Sequence, residues 1–152
     1  MNEKELLQGC RKNKLRYQKA LYERFAPTML GVCYRYFPDI DKANDVLQEV
    51  FIKVFDKISD FRGEGSLEGW IRRITIHTSI NELKRNKREH LELNETLLEG
   101  SDYISEAADT EYIMQLIQEL PDNYREVFNL CGIEGYSFQE ASELLGISEG
   151  NI

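Results

Sequence analysis

Residues Asp60–Arg88 read DFRGEGSLEGWIRRITIHTSINELKRNKR. The stretch begins as a loop interrupted by two glycines, after which Ser66 can cap the first turn of a long helix. One set of residues in that helix is apolar at helical spacing and predicts a face packed on a core: Leu67, Trp70, Ile71, Ile74 and Thr78. A second set, at steps of three or four, predicts a polar face: Arg73, His77, Asn81, Lys84 and Arg88.

The polar face lies in a locally basic segment. From Arg72 to Arg88 the sequence has six basic residues and one acid, Glu82, a formal excess of five in a chain of net charge −8. His77 and Asn81 can donate and accept hydrogen bonds, and the flanking cations can neutralise phosphates. This face can therefore hold a nucleic-acid backbone and sense base edges. A solvated helix face is the alternative, and charge alone does not separate the two.

The composition is typical of a compact helical protein. With 152 residues, 41% of them hydrophobic, the chain is long enough for one or two small domains with apolar cores. Apolar residues recur at helical spacing through most of the chain, which predicts an all-α fold. The net charge of −8 disfavours a protein that coats nucleic acid, because phosphates repel an acidic chain unless its charge is segregated.

Several classes of protein are disfavoured. No stretch resembles a signal peptide or a membrane span of about twenty residues, so we expect a cytoplasmic protein without membrane insertion. Cys10, Cys33 and Cys131 lie in apolar helical patterns, which predicts buried reduced thiols. With His77 and His90 as the only histidines, we expect no metal site and no cofactor. We predict no catalytic residues and no enzyme, since no Ser/His/Asp grouping or phosphate-binding loop is apparent.

Three further helices are predicted before the central one. A short helix over 3–12 precedes one over 14–36, which Pro27 should bend or split. The next helix, over 42–58, has Asp41 as its expected cap. Its polar face carries an acidic and amide-bearing strip that suits either a partner's basic helix or plain solvent: Asp45, Gln48, Glu49 and Ile52.

An acidic segment follows the central helix. Residues 89–111 carry eight acids and no Lys or Arg, which predicts an extended, flexible linker over 91–110 between two domains. Beyond it we predict helices over 110–120 and 122–133, with Gly135 as a left-handed cap after the second. The second helix is expected to bury one apolar face: Tyr124, Val127, Phe128, Leu130 and Cys131.

Residues 137–148 match the first helix and the turn of a helix-turn-helix motif. Such a motif needs a cap for each helix, a small residue where the helices cross and a glycine in the turn. These positions are occupied by Ser137 with Glu140, by Ala141 or Ser142, by Gly146 and by Ser148. The sequence ends at Ile152, so we expect most of the second, DNA-reading helix to be missing.

In their order and spacing these motifs resemble the extracytoplasmic-function group of bacterial sigma factors, the dissociable initiation subunits of RNA polymerase. The resemblance rests on DVLQEVF at 45–51, on FRGEGS and GWIRRI within 61–74, and on LP, GYS and LGISEG within 120–150. It covers nearly the whole chain. It implies two small helical domains, over 1–90 and 111–152, joined by the acidic linker, with the second an incomplete helix-turn-helix domain.

The resemblance also implies function and partners. It implies that the first domain docks on the clamp helices of the largest subunit of core RNA polymerase through Asp45, Gln48, Glu49 and Ile52. The loop over 60–66 would take a flipped base of the minus-ten promoter element, and the next helix would hold the melted strand. The implied DNA-binding residues are Phe61, Arg62, Gly63, Glu64, Gly65, Ser66, Trp70, Arg72, Arg73, His77, Asn81, Lys84, Arg85 and Arg88. An anti-sigma factor is a further implied partner.

This chain departs from the family pattern at two places. Many members have Asn and Asp where it has His77 and Asn81, so the promoter sequence that it reads does not carry over. Members also continue through a basic helix for the minus-thirty-five element. Either this sequence is truncated, which we expect, or the protein has lost that contact.

Two other classes of function compete with a sigma factor. A stand-alone helix-turn-helix repressor would leave the loop and the basic helix unexplained. A helical interaction module, which binds polymerase or an anti-sigma factor without initiating transcription, is the alternative.

Overall fold

The computed structural model describes residues 1–90 and 109–147. All regular secondary structure in these residues is helical, which confirms the predicted all-α fold. The elements are α1 Glu3–Arg11, α2 Leu15–Tyr36, α3 Ile40–Lys57, a 3-10 turn Ile58–Asp60, α4 Leu67–His90, α5 Asp109–Glu119, α6 Asp122–Val127, a π-helical segment Phe128–Ile133 and α7 Phe138–Leu145. None of the helices in this part of the chain is long and apolar enough to cross a membrane.

By their contacts the described residues form two compact units. The first unit consists of Met1–Tyr34 and Asp39–Ser79. The second consists of Arg35–Pro38 and the described residues from Ile80 onward. The domain boundaries proposed from the sequence stay a prediction, since nearly all of the 91–110 linker lies outside the described residues.

The core of the first unit is formed by apolar faces of its helices. It includes the fully or almost fully buried Leu6, Leu21, Met29, Val46, Val50, Val54, Leu67 and Ile71. Cys10 and Cys33 lie in it as free thiols, as predicted, whereas Cys131 in the second unit is only half-buried. Burial raises the pKa of the Cys10 thiol, which favours the unreactive protonated form.

α2 runs through Pro27 as one helix, so of the two predicted effects of Pro27, a bend or a split, the split is wrong. A proline has no N–H, and the carbonyl of Glu23 therefore loses its helical partner. Both residues are exposed, which lets water satisfy that carbonyl. The buried side chains of Leu21 and Met29 stabilise the helix on either side of the missing bond.

α3 begins two residues earlier than predicted. Asp39, and not Asp41, is its cap, and the Asp39 carboxylate accepts a hydrogen bond of 2.9 Å from the backbone N–H of Asp41. The error arose because an aspartate at either position supplies the same capping group. Asp41 lies instead in the first helical turn, where its charge is favourable beside the positive end of the helix dipole.

α4 is buried over more of its circumference than the sequence predicted. Of the expected core face, Leu67, Ile71 and Thr78 are buried, and Trp70 and Ile74 are half-buried. Five further side chains are also buried, namely Thr75, Ile76, Ser79, Ile80 and Glu82. The Thr75 hydroxyl donates to the Ile71 carbonyl at 2.8 Å, so its burial leaves no donor without a partner.

The helix predicted over 122–133 differs most from the structure. α6 ends at Val127, and the following segment is π-helical, as shown by the N–H of Glu134 donating to the carbonyl of Asn129, five residues earlier, at 3.0 Å. The prediction that Tyr124 and Phe128 are core residues is wrong, because they are 70% and 44% exposed. Leu130 is buried as expected.

Polar side chains occupy the interior where the apolar ones were expected. We name Arg35, Glu126, Asn129 and Glu134 the buried polar cluster, and Lys87, whose side chain is 46% exposed, pairs with it. Arg35 and Glu134 form an ion pair of 2.7 Å, Asn129 donates to the Arg35 carbonyl at 2.9 Å, and Lys87 lies 2.9 Å from Glu126. Burial raises the pKa of Glu126 by more than the Lys87 hydrogen bond and charge lower it.

The helix-turn-helix residues adopt the predicted local structure. The Ser137 hydroxyl accepts from the Glu140 N–H, and the Glu140 carboxylate accepts from the Ser137 N–H, each at 3.1 Å, which confirms the capping box. Ala141 is fully buried, and Gly146 ends α7 with a φ of 71°. The prediction for Ser148 and the helix after it lies outside the described residues.

Candidate nucleic-acid interface

The loop over 60–66 is held at both ends and exposed between them. At its start, Phe61 is 5% exposed and its ring centroid lies 5.3 Å from that of Trp70. The guanidinium of Arg11 donates to the Phe61 carbonyl at 2.5 Å. At its end, Ser66 accepts from the Gly69 N–H at 2.9 Å and so caps α4, as predicted. Residues 62–65 between these points are exposed.

Two glycines give this loop its shape. Gly63 and Gly65 have φ values of 80° and 77°, a region that residues with a side chain rarely adopt. Among the described residues, no atom lies within 4 Å of the place where a Cβ would be at either position. The glycines are therefore required by backbone conformation, and the space beside them is open to a ligand.

The resemblance implies that this loop takes a flipped base, and on that expectation Gly65→Val should weaken binding of the base about tenfold. A β-branched residue at positive φ costs about 1–2 kcal/mol, so the loop leaves this conformation while the buried core is unaffected. Binding of the chain, in complex with core polymerase, to melted promoter strand measures the effect. Gly31→Ala is the control, because Gly31 lies inside α2 with open space beside it and Ala is the better helix former. Unchanged strand binding by Gly65→Val would show that the loop conformation is not used.

Two residues of the polar face of α4 lie in the first unit. Arg73 is exposed, and His77, four residues later, is half-buried. Burial, and then the charge of Arg73, lower the pKa of His77, so its ring is neutral at neutral pH. A neutral imidazole offers one donor and one acceptor to a base edge, while Arg73 offers a charge to a phosphate.

The other residues of the polar face lie in the second unit, on the same helix. Asn81 is exposed and Lys84 is half-buried. Arg85 is paired at 2.7 Å with the buried Glu82. The side chain of Arg88 lies outside the described part of the chain. Arg85 is therefore paired with Glu82, and Lys87 with Glu126. These acids of the chain itself partly neutralise the excess positive charge of residues 72–88.

The strip of α3 forms one face of that helix, as its spacing predicted. Asp45 and Gln48 are exposed, and the large apolar side chain of Ile52 is 64% exposed. Glu49 is half-buried and lies 4.0 Å from Lys53. The strip therefore combines negative charge, an amide and an apolar side chain, which suits a basic protein partner.

Sequence comparisons identify both parts of the chain. The family described as Sigma-70 region 2 matches residues 21–89, and the one described as Sigma-70, region 4 matches residues 110–152. A helical protein that carries these two regions in this order is a sigma-70-type factor. The chain belongs to the extracytoplasmic-function group of RNA polymerase sigma factors.

Curated relatives cover most of the chain. An RNA polymerase sigma-H factor of Pseudomonas aeruginosa is 26% identical over 165 aligned positions, which cover 99% of this chain and 86% of the relative. The RNA polymerase sigma factor YlaC of Bacillus subtilis is 29% identical over 136 positions, covering 84% of this chain and 79% of the relative.

Two solved structures have a similar fold. One is the sigma factor RpoE in complex with the anti-sigma factor NepR from Bartonella quintana, with a TM-score of 0.57 and 20% identity, covering 88% of this chain and 85% of that one. The other is CnrH in complex with the cytosolic domain of CnrY, with a TM-score of 0.54 and 20% identity, covering 96% and 84%.

Arg11 also belongs to this site and was not predicted from the sequence. The residue lies in α1, fifty positions before the carbonyl that it contacts, and nothing in a single sequence marks such a pair. The only sequence signal for Arg11 is that it is a basic residue in the last turn of α1, and such residues are usually solvated.

Proposed function

We propose that this sigma factor docks on core RNA polymerase through the strip of α3 and opens promoter DNA by holding one extruded base in the loop over 60–66. The observation that carries the proposal is the loop itself, fixed at both ends, shaped by two glycines and exposed between them. The polar face of the next helix then holds the melted strand. No chemical step is involved, and the protein acts in the cytoplasm, where polymerase is.

In this mechanism, interactions with the protein offset the free energy needed to extrude a base. Unstacking and extruding a base costs a few kcal/mol, which hydrogen bonds and stacking in a pocket offset. The exposed backbone of residues 62–65 supplies donors and acceptors to the base. Arg62, Arg72 and Arg73, with Lys84, Arg85 and Arg88 further along α4, contact phosphates and set the affinity and its salt dependence.

The remaining regions have roles consistent with this mechanism. We assign residues 1–90 to docking and melting, 91–110 to an acidic linker, and 111–152 to a second DNA-contacting domain around Ser137, Ala141, Ser142, Gly146 and Ser148. Of the two solved structures described above, one is a complex with the anti-sigma factor NepR and the other a complex with the cytosolic domain of CnrY, which supports an anti-sigma factor as the third partner.

Arg73→Ala tests the strand-holding face. Arg73 is exposed, so we expect the fold to be unaffected, and loss of one phosphate contact should weaken promoter opening severalfold and reduce the salt dependence by about one ion. The measurement is 2-aminopurine fluorescence from the minus-ten element of a promoter selected with the wild-type holoenzyme, at several salt concentrations.

Lys19→Ala is the matched control for Arg73→Ala. It also removes one exposed cation of the first unit, but on α2, where its pairing with Glu23 at 3.8 Å is exposed and worth little. Equal opening by both variants would remove Arg73 from the site. A wild-type chain that binds polymerase but opens no DNA would favour the interaction module instead.

A further inference from the structure

We infer that Arg11 is a positioning residue for the base-capturing loop, which makes α1 part of the promoter-opening site. The inference rests on the proposed function of that loop. α1 ends at Arg11, whereas the match to Sigma-70 region 2 begins at residue 21. The helix therefore lies outside the region on which the loop's assignment depends, and only the three-dimensional contact connects it to the loop.

The contact is a charged hydrogen bond at Phe61, the second residue of the loop. The Nη2 atom of Arg11 lies 2.5 Å from the carbonyl oxygen of Phe61, and the bond is partly buried. A charged donor makes a shorter and stronger hydrogen bond than a neutral one. The carbonyl of Phe61 is thus fixed by α1 while the Phe61 ring is fixed by Trp70.

α1 is itself rigidly held, so it can position what it contacts. Leu6 and Cys10 are 0% and 1% exposed. At Gly9 a Cβ would lie 2.0 Å from the ring of Tyr17, so α1 packs against the start of α2 at a distance that only glycine allows. A bond from such a support reduces the number of conformations open to the loop before DNA binds. Less conformational entropy is then lost when the base is captured.

A different role for Arg11 would follow from its charge alone. It is the first of four exposed basic residues around the α1–α2 turn, with Lys12, Lys14 and Arg16. If these residues only attracted phosphates, loss of Arg11 would weaken binding of every DNA strand alike and reduce the salt dependence. A positioning residue instead affects how much the captured base contributes to the binding free energy, and it leaves the affinity for the DNA backbone unchanged. The two roles therefore predict different measurements.

The experiment compares strands with and without the captured base. Wild-type holoenzyme is used to enrich a fluorescein-labelled, randomised single-stranded DNA library, and the enriched strand is then remade with an abasic site at each position in turn. One position should show a large ratio between the dissociation constants of the abasic and the intact strand, which identifies the captured base. The variants are Arg11→Met, which loses the donor, Arg11→Lys, which keeps a donor and the charge, and Lys12→Gln, which removes a neighbouring charge.

We expect Arg11→Met to lower that ratio about tenfold, the size of one charged hydrogen bond, with unchanged affinity for the abasic strand and unchanged salt dependence. Arg11→Lys should recover part of the ratio, and Lys12→Gln should leave it unchanged. Trp70, the single tryptophan of the chain, lies beside Phe61 and gives a second measurement without DNA. Its acrylamide quenching in the free protein should rise in Arg11→Met and not in Lys12→Gln.

Each contrary outcome has a separate meaning. A wild-type ratio in Arg11→Met, with polymerase binding intact, overturns the positioning role and leaves the proposed function standing. An equal loss for intact and abasic strands, with a smaller salt dependence, also overturns it and makes Arg11 a phosphate contact. If no position gives a base-dependent ratio in the wild-type chain, the proposed base capture fails, and the inference fails with it.

Discussion

Glu134→Ala is expected to lower the free energy of unfolding of the second unit by about 3–5 kcal/mol, the usual cost of removing one partner of a buried ion pair. The Glu134 side chain is 7% exposed and that of its partner Arg35 is 16% exposed, with 2.7 Å between them. Without the carboxylate, the guanidinium stays away from water with its charge uncompensated. The side-chain amide of Asn129 also donates to the backbone carbonyl of Arg35. This bond holds the backbone of Arg35 in place, so the variant cannot easily move the Arg35 side chain into water.

A double variant distinguishes the effect of losing the ion pair from the effect of losing the volume of its side chains. Arg35→Met with Glu134→Leu replaces both charges by apolar side chains, which is commonly neutral or stabilising where one partner alone is strongly destabilising. We therefore expect the double variant to recover most of the stability lost in Glu134→Ala. Hydrogen exchange of the amides of residues 128–133 measures the second unit by itself. Protection that changes by less than about tenfold in Glu134→Ala, which is about 1.4 kcal/mol, would contradict the account of this pair.

The sequence predicted best the features that local chemistry determines. Ser66 and Ser137 could be identified as caps because a hydroxyl before an apolar run satisfies free N–H groups of a first turn. Gly135 could be identified as a left-handed position, and Gly146 as the glycine of a turn, because each follows the last residues of a periodic segment; both have positive φ. Each of these features depends on residues within about four positions of one another, which a single sequence shows directly.

Features that depend on distant residues could not be predicted. The prediction of a core face for 122–133 assumed that apolar side chains are buried and charged ones are not. The structure instead buries Glu126 and Asn129, because their partners Lys87 and Arg35 come from 39 and 94 positions earlier in the chain. The π-helical hydrogen bonds after Val127 also change the angular spacing on which the prediction relied.

The local structure of the candidate site was predicted from the sequence, but its electrostatics were not. The loop, its glycines and the polar face of α4 were all identified from the sequence. Formal charge did not show that Lys87 is held by Glu126, nor that Arg85 is held by Glu82. It also did not show that burial lowers the pKa of His77. Such effects depend on which groups approach one another in the folded chain.

Asp45→Arg combined with Gln48→Ala should weaken binding to core RNA polymerase at least about 100-fold, or about 2.7 kcal/mol. The double variant puts a positive charge opposite the basic partner that the strip of α3 is proposed to meet, and it removes an amide. Charge reversal at an interface both removes an attraction and adds a repulsion, and residues near the centre of an interface commonly contribute about 2 kcal/mol or more.

The fold should tolerate these changes. Asp45 and Gln48 are both exposed, so the variant should melt like the wild type. Glu23→Arg is the matched control, because it makes the same change of charge at an exposed position of α2 in the same unit, where the Glu23 side chain is 64% exposed. Similar weakening by Glu23→Arg would indicate a general effect of net charge rather than docking.

The most direct measurement for the whole account is a fluorescence anisotropy titration of the labelled chain with core RNA polymerase from its source. We expect saturable, tight binding by the wild-type chain and by Glu23→Arg. The affinity of Asp45→Arg/Gln48→Ala for polymerase should be at least about 100-fold lower. No binding by a folded wild-type chain would contradict the account.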